Sequence, residues 1–327
     1  MQIFKIEEND ANQRLDKFLK KLFPNATRSL IYKLNRKDKI KVKNISDGEK
    51  FRKKDNEYKL EIDEVKIFLK ESEFKELSEV KIEKTTESSE KFDKNDIVYE
   101  DGDLLIINKS SGINVHADHK TKETNVILQV QDYLKKLNSL TFKPSLIHRI
   151  DRDTSGILMI AKKKNILTQL VSDFKNHKKI EKTYYAIVLR LSRKETIKKP
   201  LKRIENAKEN KVQVANDQTA ITHFKLLKEH FLEAAKTKII LSEVEVKIET
   251  RMHQIRVHMA SINPIVGDKT YDKQKNTFFE KNFLKRQALH SWKIKFFHYG
   301  KNKKMELEAR IKKDLKDFLK KIDEKNN

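Results

Sequence analysis

The chain has 327 residues, 73 Lys and Arg against 49 Asp and Glu, a formal net charge of +24 and no cysteine. That length holds one large domain plus a small one, since domains usually run to about 100 to 200 residues. The missing thiols exclude disulfides and any zinc or iron–sulfur site built on thiolates, and the basic excess points to a polyanion as partner, nucleic acid ahead of an acidic membrane surface. No apolar run reaches the roughly 18 residues of a membrane span, and the opening MQIFKIEEND lacks the apolar core of a signal peptide. A cytoplasmic location with no membrane partner is therefore expected.

In chain order, Leu15, Phe18, Leu19 and Leu22 recur at i, i+3, i+4 and i+7 and predict an amphipathic helix that ends near Pro24. Thr27 can cap a second helix, with Leu30, Ile31 and Leu34 facing inward and Arg28, Lys33, Arg36 and Lys37 outward. Lys39-Ile40-Lys41-Val42-Lys43 then alternates like a half-buried strand. Seven basic side chains between Arg28 and Lys43, against Asp38 alone, concentrate positive charge where a phosphate backbone can lie. Arg28, Lys33, Arg36, Lys37 and Lys41 are the candidate contacts; a solvated helix face is the plainer reading of any one of them. Residues 61–100 are acidic instead, with thirteen carboxylates against seven basic groups. Within them Glu83 to Lys91 is almost free of apolar residues, as a solvated linker is. The expected organisation is a small domain over 1–64, a linker over 65–95 and a larger domain over 96–327, separable by a cut in the linker.

Beyond Asp96, Ile97 to Tyr99 and Leu104 to Ile107 flank Glu100-Asp101-Gly102-Asp103, a hairpin signal. Val126, Ile127, Val130, Tyr133, Leu134 and Leu137 form a helical stripe, Gly156 to Ala161 a buried strand, and Ile166 to Phe174 a further helix. Strands are expected near Tyr184–Leu189, Ile221–Leu227, Lys238–Ile248 and Trp292–Phe296, with helices over His253–Ile262 and Ile311–Ile322. Hairpins and helices without regular βαβ alternation argue for an α+β fold around a mixed, largely antiparallel sheet flanked by helices.

The densest polar cluster is His148-Arg149-Ile150-Asp151-Arg152-Asp153-Thr154-Ser155-Gly156, directly before the apolar run Ile157 to Ala161 and Lys162. On composition alone it reads as a surface loop of offsetting charges. The glycine economy weighs against that: there are only 6, and Gly112, Gly156 and Gly267 each lie beside a polar cluster, where positive φ or close backbone approach is the expected reason.

His148 through Lys162 resembles the signature of the RluA family of pseudouridine synthases, histidine-arginine-leucine-aspartate followed by Thr-Ser-Gly, an apolar strand and Ala-Lys, with Ile150 in place of leucine. Supporting blocks follow the family's order: Asn108 to Gly112 with His116, Lys182 to Ala186, His253 to His258, Pro264 to Asp268 and Ala288 to His290. Ser110 replaces a common proline, and Glu249-Thr250-Arg251 stands where Thr-Gly-Arg is usual. Residues 13–60 resemble the alpha-L RNA-binding domain of a small-subunit ribosomal protein, although Lys43-Asn44-Ile45-Ser46 lacks the usual Asn-Gly turn. The resemblance implies a cofactor-free enzyme whose Asp151 attacks the target uridine, while the base is detached, rotated and rejoined through carbon 5. It implies Arg256 as the partner of Asp151 and Tyr184 as the residue against the flipped base, and it assigns His148, Arg149, Thr154 and His253 to substrate or RNA binding. A carboxylate nucleophile must be ionised, and a neighbouring guanidinium favours that form.

A helix over 253–262 would put His253, Arg256 and Ala260 on one face and Ile255, Met259 and Ile262 toward the core. His253 and His258 are five apart, not the spacing of a helical zinc pair, so no metal is expected. The expected partner is RNA, ribosomal or in pre-ribosomal particles. A non-catalytic RNA-binding or ribosome-assembly factor and a tRNA-modifying relative are the competing readings; which uridine is chosen depends on RNA shape and flipped bases, not on a side-chain code.

Overall fold

The computed structural model describes residues 1–44, 48, 50–79, 91–116, 124–176, 179–190, 195–204, 211–217, 219–234, 237–248, 251–271 and 284–324. The turn after Asn44, the linker segment 83–90 and the Glu249-Thr250 departure lie outside them. Contacts divide the chain into two compact units: Met1–Ser89 with Val130–Pro144 and Lys162–Asn165, and Glu90–Gln129 with Ser145–Ala161 and Ile166–Asn327. Among the described residues no helix is long and apolar enough to cross a membrane.

The first unit carries β1 (Gln2–Lys5), β2 (Gln13–Arg14), α1 (Leu15–Leu22), α2 (Arg28–Arg36), β3 (Ile40–Asn44), β4 (Lys59–Leu60), β5 (Asp63–Ile67) and α3 (Glu71–Ser78). Strands β1, β5 and β3 form an antiparallel sheet, and β2 pairs β4. The expected stripe of α1 buries Leu15, Phe18 and Leu19 completely, against Ile31 of α2 and Ile40, Val42, Val65 and Ile67 of the sheet. Thr27 caps α2 by accepting from Leu30 N at 3.2 Å. The boundary expected after residue 64 is corrected here. Val65 and Ile67 are buried strand residues, and Phe74 of α3 packs edge-on to Phe23 and stacks on Phe4, so 65–78 is folded structure and not linker. The acidic composition misled because α3 needs few apolar residues to cover a sheet edge.

This unit also recruits residues far along the sequence. Asp10, 1% exposed, accepts hydrogen bonds from Ser139 Oγ, Leu140 N, Thr141 N and Thr141 Oγ1 at 2.7 to 3.2 Å. Asn9 Oδ1 accepts from Lys164 N, and Lys164 Nζ donates to Ala11 O. A cut near residue 90 would strip those partners from 139–141 and 164, so the clean separation expected from the sequence does not hold.

The second unit is built on a sheet of ten strands, ordered β11-β14-β15-β10-β16-β9-β7-β6, with β17 on β16 and β8 on β9. These are β6 (Ile97–Glu100), β7 (Leu104–Lys109), β8 (Ser145–Leu146), β9 (Ser155–Ala161), β10 (Glu181–Leu189), β11 (Glu195–Lys198), β14 (Ile221–Ala234), β15 (Thr237–Ile248), β16 (Leu289–His298) and β17 (Lys303–Glu308). Short strands β12 (Leu201–Arg203) and β13 (Val212–Val214) pair apart from it. Among the described residues, helices α4 (Val126–Tyr133), α5 (Lys164–Asn176), α6 (Gln254–Ala260) and α7 (Lys313–Glu324) follow. All pairs are antiparallel except β16 with β9, so the α+β expectation holds for this sheet.

Other details depart from the sequence reading. Helix α4 ends at Tyr133 and leaves Leu137 41% exposed; α6 ends at Ala260 and leaves Ile262 39% exposed, although Ile255 and Met259 are core as expected. Strand β17 was not anticipated, though Met305 and Leu307 alternate with Lys304, Glu306 and Glu308 as a half-buried strand does.

Across β16, Ser291 lies opposite Gly156 of β9 on one side and Tyr184 of β10 on the other. Gly156 has φ +108, and a Cβ there would come within 2.2 Å of the Ser291 carbonyl oxygen. The adjacent Ser155 Oγ meets Nδ1 of the fully buried His290 at 2.8 Å. Burial pushes His290 down to about 4.

Gly156→Ala is expected to lower stability by more than about 1 kcal/mol, seen as a lower denaturant midpoint. Because the folded His290 titrates near 4 and a free histidine near 6.5, the unfolded chain takes up the proton first. Stability is therefore fully present above pH 6.5 and is lost as pH falls towards 4, by on the order of 3 kcal/mol from this residue. Denaturant titrations across that range check it; His290→Asn should remove this part of the slope.

Candidate active site

Asp151 sits in the turn that enters β9, closed by Thr154 N donating to Asp151 O at 3.2 Å. The next peptide is pinned from two directions: Arg152 O accepts from Gly112 N at 3.0 Å and from Lys109 Nζ at 2.8 Å. Lys109 also donates to Ser110 O and Ile113 O, so three carbonyls take the three ammonium donors of a side chain only 2% exposed. Burial pushes Lys109 down to about 7, with the carboxylates of Asp153 and Asp151 pulling the other way. Arg152 Nε returns a bond to Gly112 O, whose residue has φ +85.

The opposing wall comes from α6 and the turn after it. His253 precedes α6 in the left-handed region, φ 53, and Arg256 lies one turn in. The Arg256 guanidinium makes a forked pair with Asp268, Nε to Oδ2 at 2.7 Å and Nη2 to Oδ1 at 2.9 Å, and its remaining nitrogen Nη1 donates to Asp151 Oδ2 at 3.0 Å. Burial works against the charge of Arg256 and is outweighed by Asp268 and Asp151, so its pKa is raised. Asp268, 1% exposed, is oriented in turn by Thr270 N and Tyr271 N. Gly267 makes that possible: its φ is +78, and a Cβ would stand 2.0 Å from the Arg286 carbonyl oxygen.

Tyr271 covers the fork, its ring centroid 5.1 Å from Arg256 Cζ. Its hydroxyl accepts from Val212 N at 3.1 Å, which leaves its own proton for His253 Nδ1 at 2.8 Å. Burial lowers the His253 pKa despite the pull of Asp151. A neutral ring that accepts at Nδ1 carries its proton on Nε2, 3.7 Å from Asp151 Oδ2. Tyr184, 8% exposed, lies on β10; burial and then the charge of Asp151 push its phenol upward, so it stays protonated.

The structure thus brings Asp151, Arg256 and His253 together, with Tyr184 close enough to feel the Asp151 charge. Arg149 is exposed, and its charge reaches His253. Two expected binding residues are otherwise engaged. His148 Nε2 accepts from Met159 N at 3.2 Å and its ring stacks on Phe174 at 4.6 Å; burial pushes it down to about 3, so it is neutral and supports β9. Thr154, 2% exposed, accepts from Gln287 Nε2 at 2.7 Å and holds the turn from below. Asp268, Tyr271 and Lys109 were given no role from the sequence. Gly267-Asp268 was the available signal, a scarce glycine beside a lone acid.

The basic segment is likewise sorted by the structure. Arg28 lies 3.6 Å from the Asp16 carboxylate and over the Tyr32 ring, and Lys41 lies against Phe68. Lys33 and Lys37 are exposed beside a cavity, and Arg36 is exposed.

A family profile described as RNA pseudouridylate synthase matches residues 103–261. "Ribosomal large subunit pseudouridine synthase C" of Buchnera aphidicola subsp. Schizaphis graminum is 36% identical, covering 97% of this chain and 96% of that protein. The protein of the same name from Vibrio cholerae serotype O1 is 33% identical over 98% and 97%. Among solved structures, human RNA pseudouridylate synthase domain containing 4 aligns with TM-score 0.55 and 19% identity, over 70% of this chain and 93% of that one. Human RNA pseudouridylate synthase domain containing 1 gives 0.53 and 23%, over 66% and 82%; both share the fold. Fold and matches define a pseudouridine synthase, an isomerase of RNA uridine. Within that class the chain belongs to the RluA family, whose signature carries Asp151.

Arg256→Lys keeps a positive charge but cannot fork, and Asp268→Asn leaves the guanidinium half-paired. Breaking a buried pair costs about 3–5 kcal/mol, so both variants should show a lower denaturant midpoint and a severe loss of turnover. Activity within about twofold of the parent would contradict the pairing, since that is only about 0.4 kcal/mol.

Proposed function

We propose that Asp151 is the nucleophile of the uridine isomerisation and that the substrate is large-subunit ribosomal RNA. The observation that carries the catalytic part is the Arg256 Nη1 to Asp151 Oδ2 bond at 3.0 Å, made by a guanidinium whose other edge is fixed on Asp268. One face of the Asp151 carboxylate is held, and its side chain remains 28% exposed for an incoming nucleotide. Covalent attachment to a carboxylate divides a difficult rearrangement into two easier steps. The Asp151 carboxylate bonds to the ribose C1′ as the N1–C1′ bond breaks, the detached base turns, and C5 bonds to C1′ as the carboxylate leaves; the C5 proton is then lost and one proton is taken up at N1. Atoms and electrons balance within the uridine, so the chemistry needs no co-reactant. Protonated Tyr184 packs against the flipped base. His253 and the exposed Arg149 line the rim, where the phosphates of a flipped nucleotide pass.

The substrate reading is supported by the names of relatives matched along nearly the whole chain. The N-terminal unit serves as an alpha-L type RNA-binding module, supported by its exposed basic α2 and the charged β3 beside it. Its role is affinity and targeting.

Asp151→Asn is nearly isosteric but lacks nucleophilic charge; it should keep RNA affinity and melting temperature near those of the parent and abolish pseudouridine formation. Substantial turnover by the purified variant would remove Asp151 from the role. Mapping pseudouridine across total RNA with and without the gene tests the substrate, the expected loss being confined to large-subunit ribosomal RNA. Activity should also survive prolonged chelation; loss restored specifically by zinc would contradict the cofactor-free chemistry.

A further inference from the structure

A cavity of about 520 Å³ opens on the N-terminal unit between the end of α2, the end of β5 and the start of α3. Its floor is apolar: Leu30 and Leu34 from α2, with Phe68 and Leu69 after β5, all half-buried. Its rim is basic: Lys33, Lys37, Lys39 and Lys70, all exposed. Two nearby carboxylates, Asp38 and Glu71, are paired outside the cavity, and a third, Glu73, lines it. Asp38 pairs with Lys53 at 3.1 Å, Glu71 with Lys75 at 3.8 Å, and Glu73 accepts from the Lys70 backbone N at 3.1 Å. Among the described residues no ion pair engages any of the four rim lysines. Lys41 and Lys66 add charge beside the Phe68 ring at 5.7 and 5.5 Å.

We propose that this cavity is a nucleotide-binding site for an unpaired residue of the RNA substrate, the base lying on the Leu34 and Phe68 floor and its flanking phosphates held by the rim lysines. The proposal rests on RNA being the substrate and adds to it a separate place of capture. A lone phosphate would leave the apolar floor exposed, whereas a base has a π-face to cover it and carries a phosphate on either side. Four ammonium groups against one lining carboxylate, around one apolar floor, match that amphipathic chemistry. Lys39 N donates to Leu34 O, and Lys39 O accepts from Phe68 N at 2.8 Å, so rim and floor are joined through one backbone segment.

The test uses the full chain and a single-stranded RNA oligonucleotide carrying one 4-thiouridine. Irradiation and mass mapping should place the crosslink on Leu34, Phe68 or their immediate neighbours. The combined variant Lys33→Gln, Lys39→Gln, Lys70→Gln changes exposed groups only and should melt as the parent does. It should flatten the slope of log affinity against log salt by about 2, from three lost contacts at roughly 0.7 each. An oligonucleotide abasic at the crosslinked position should bind the parent about tenfold more weakly and the variant no differently, as expected for the loss of one stacked base. An unchanged salt slope, or crosslinks mapping only elsewhere, overturns the site. Equal affinity for abasic and intact RNA reduces it to an anion patch and overturns the nucleotide reading. A parent that makes no pseudouridine, with the slope still lost in the variant, would sink the catalytic reading and leave the cavity standing.

Discussion

Everything at the proposed catalytic centre depends on one guanidinium being divided between two carboxylates. Arg256 has three nitrogens and uses two of them on Asp268, a residue 1% exposed, before it offers the third to Asp151. The fork fixes the plane of the guanidinium, and the plane fixes the direction in which Nη1 meets Asp151. Lysine has no such plane. A point charge in the same space would attract Asp151 without orienting it.

The constraint extends outward through backbone. Asp268 is aimed by its own following amides, the chain reaches it through a glycine that no side chain can replace, and Gly267 abuts the Arg286 carbonyl just before β16. On the other wall, Lys109 and Gly112 hold the peptide that follows Asp151, while Gly156 lets β9 approach β16. The two walls therefore converge on the same strand. Three scarce glycines stand at the three places where chain must pass chain or turn back, which explains their company with polar clusters.

The polar landmarks were legible in the sequence because they are local: the run from His148 to Gly156, the Thr27 cap and the α1 stripe each lie within a few residues. What was not legible depends on distance in sequence. Nothing around residue 10 announces that its carboxylate will be closed by residues 139–141, nor does the acidic stretch after residue 60 announce a buried strand. His148 looked like a binding residue because a motif records which side chains recur together, not which way they face; here it faces Phe174. Asp268 was overlooked for the converse reason, since its one task is to hold Arg256, twelve residues earlier in the chain.

The position of β16 within the sheet has a consequence for synthesis. It lies between β10 and β9, yet it begins at residue 289, after β9 has ended at residue 161 and β10 at residue 189. As the chain leaves the ribosome, β9 with β7 and β8, and β10 with β15, emerge as two half-sheets whose facing edges are not yet joined by β16. Those edges are apolar: every residue of β9 and most of β10 is buried in the finished protein. Until β16 is inserted, they are the most adhesive surfaces on the nascent chain and open to pairing with another copy. Assembly of Asp151, on one half, against Arg256, on the other, waits for the same event, so an incomplete chain has neither a closed sheet nor the Asp151–Arg256 pair.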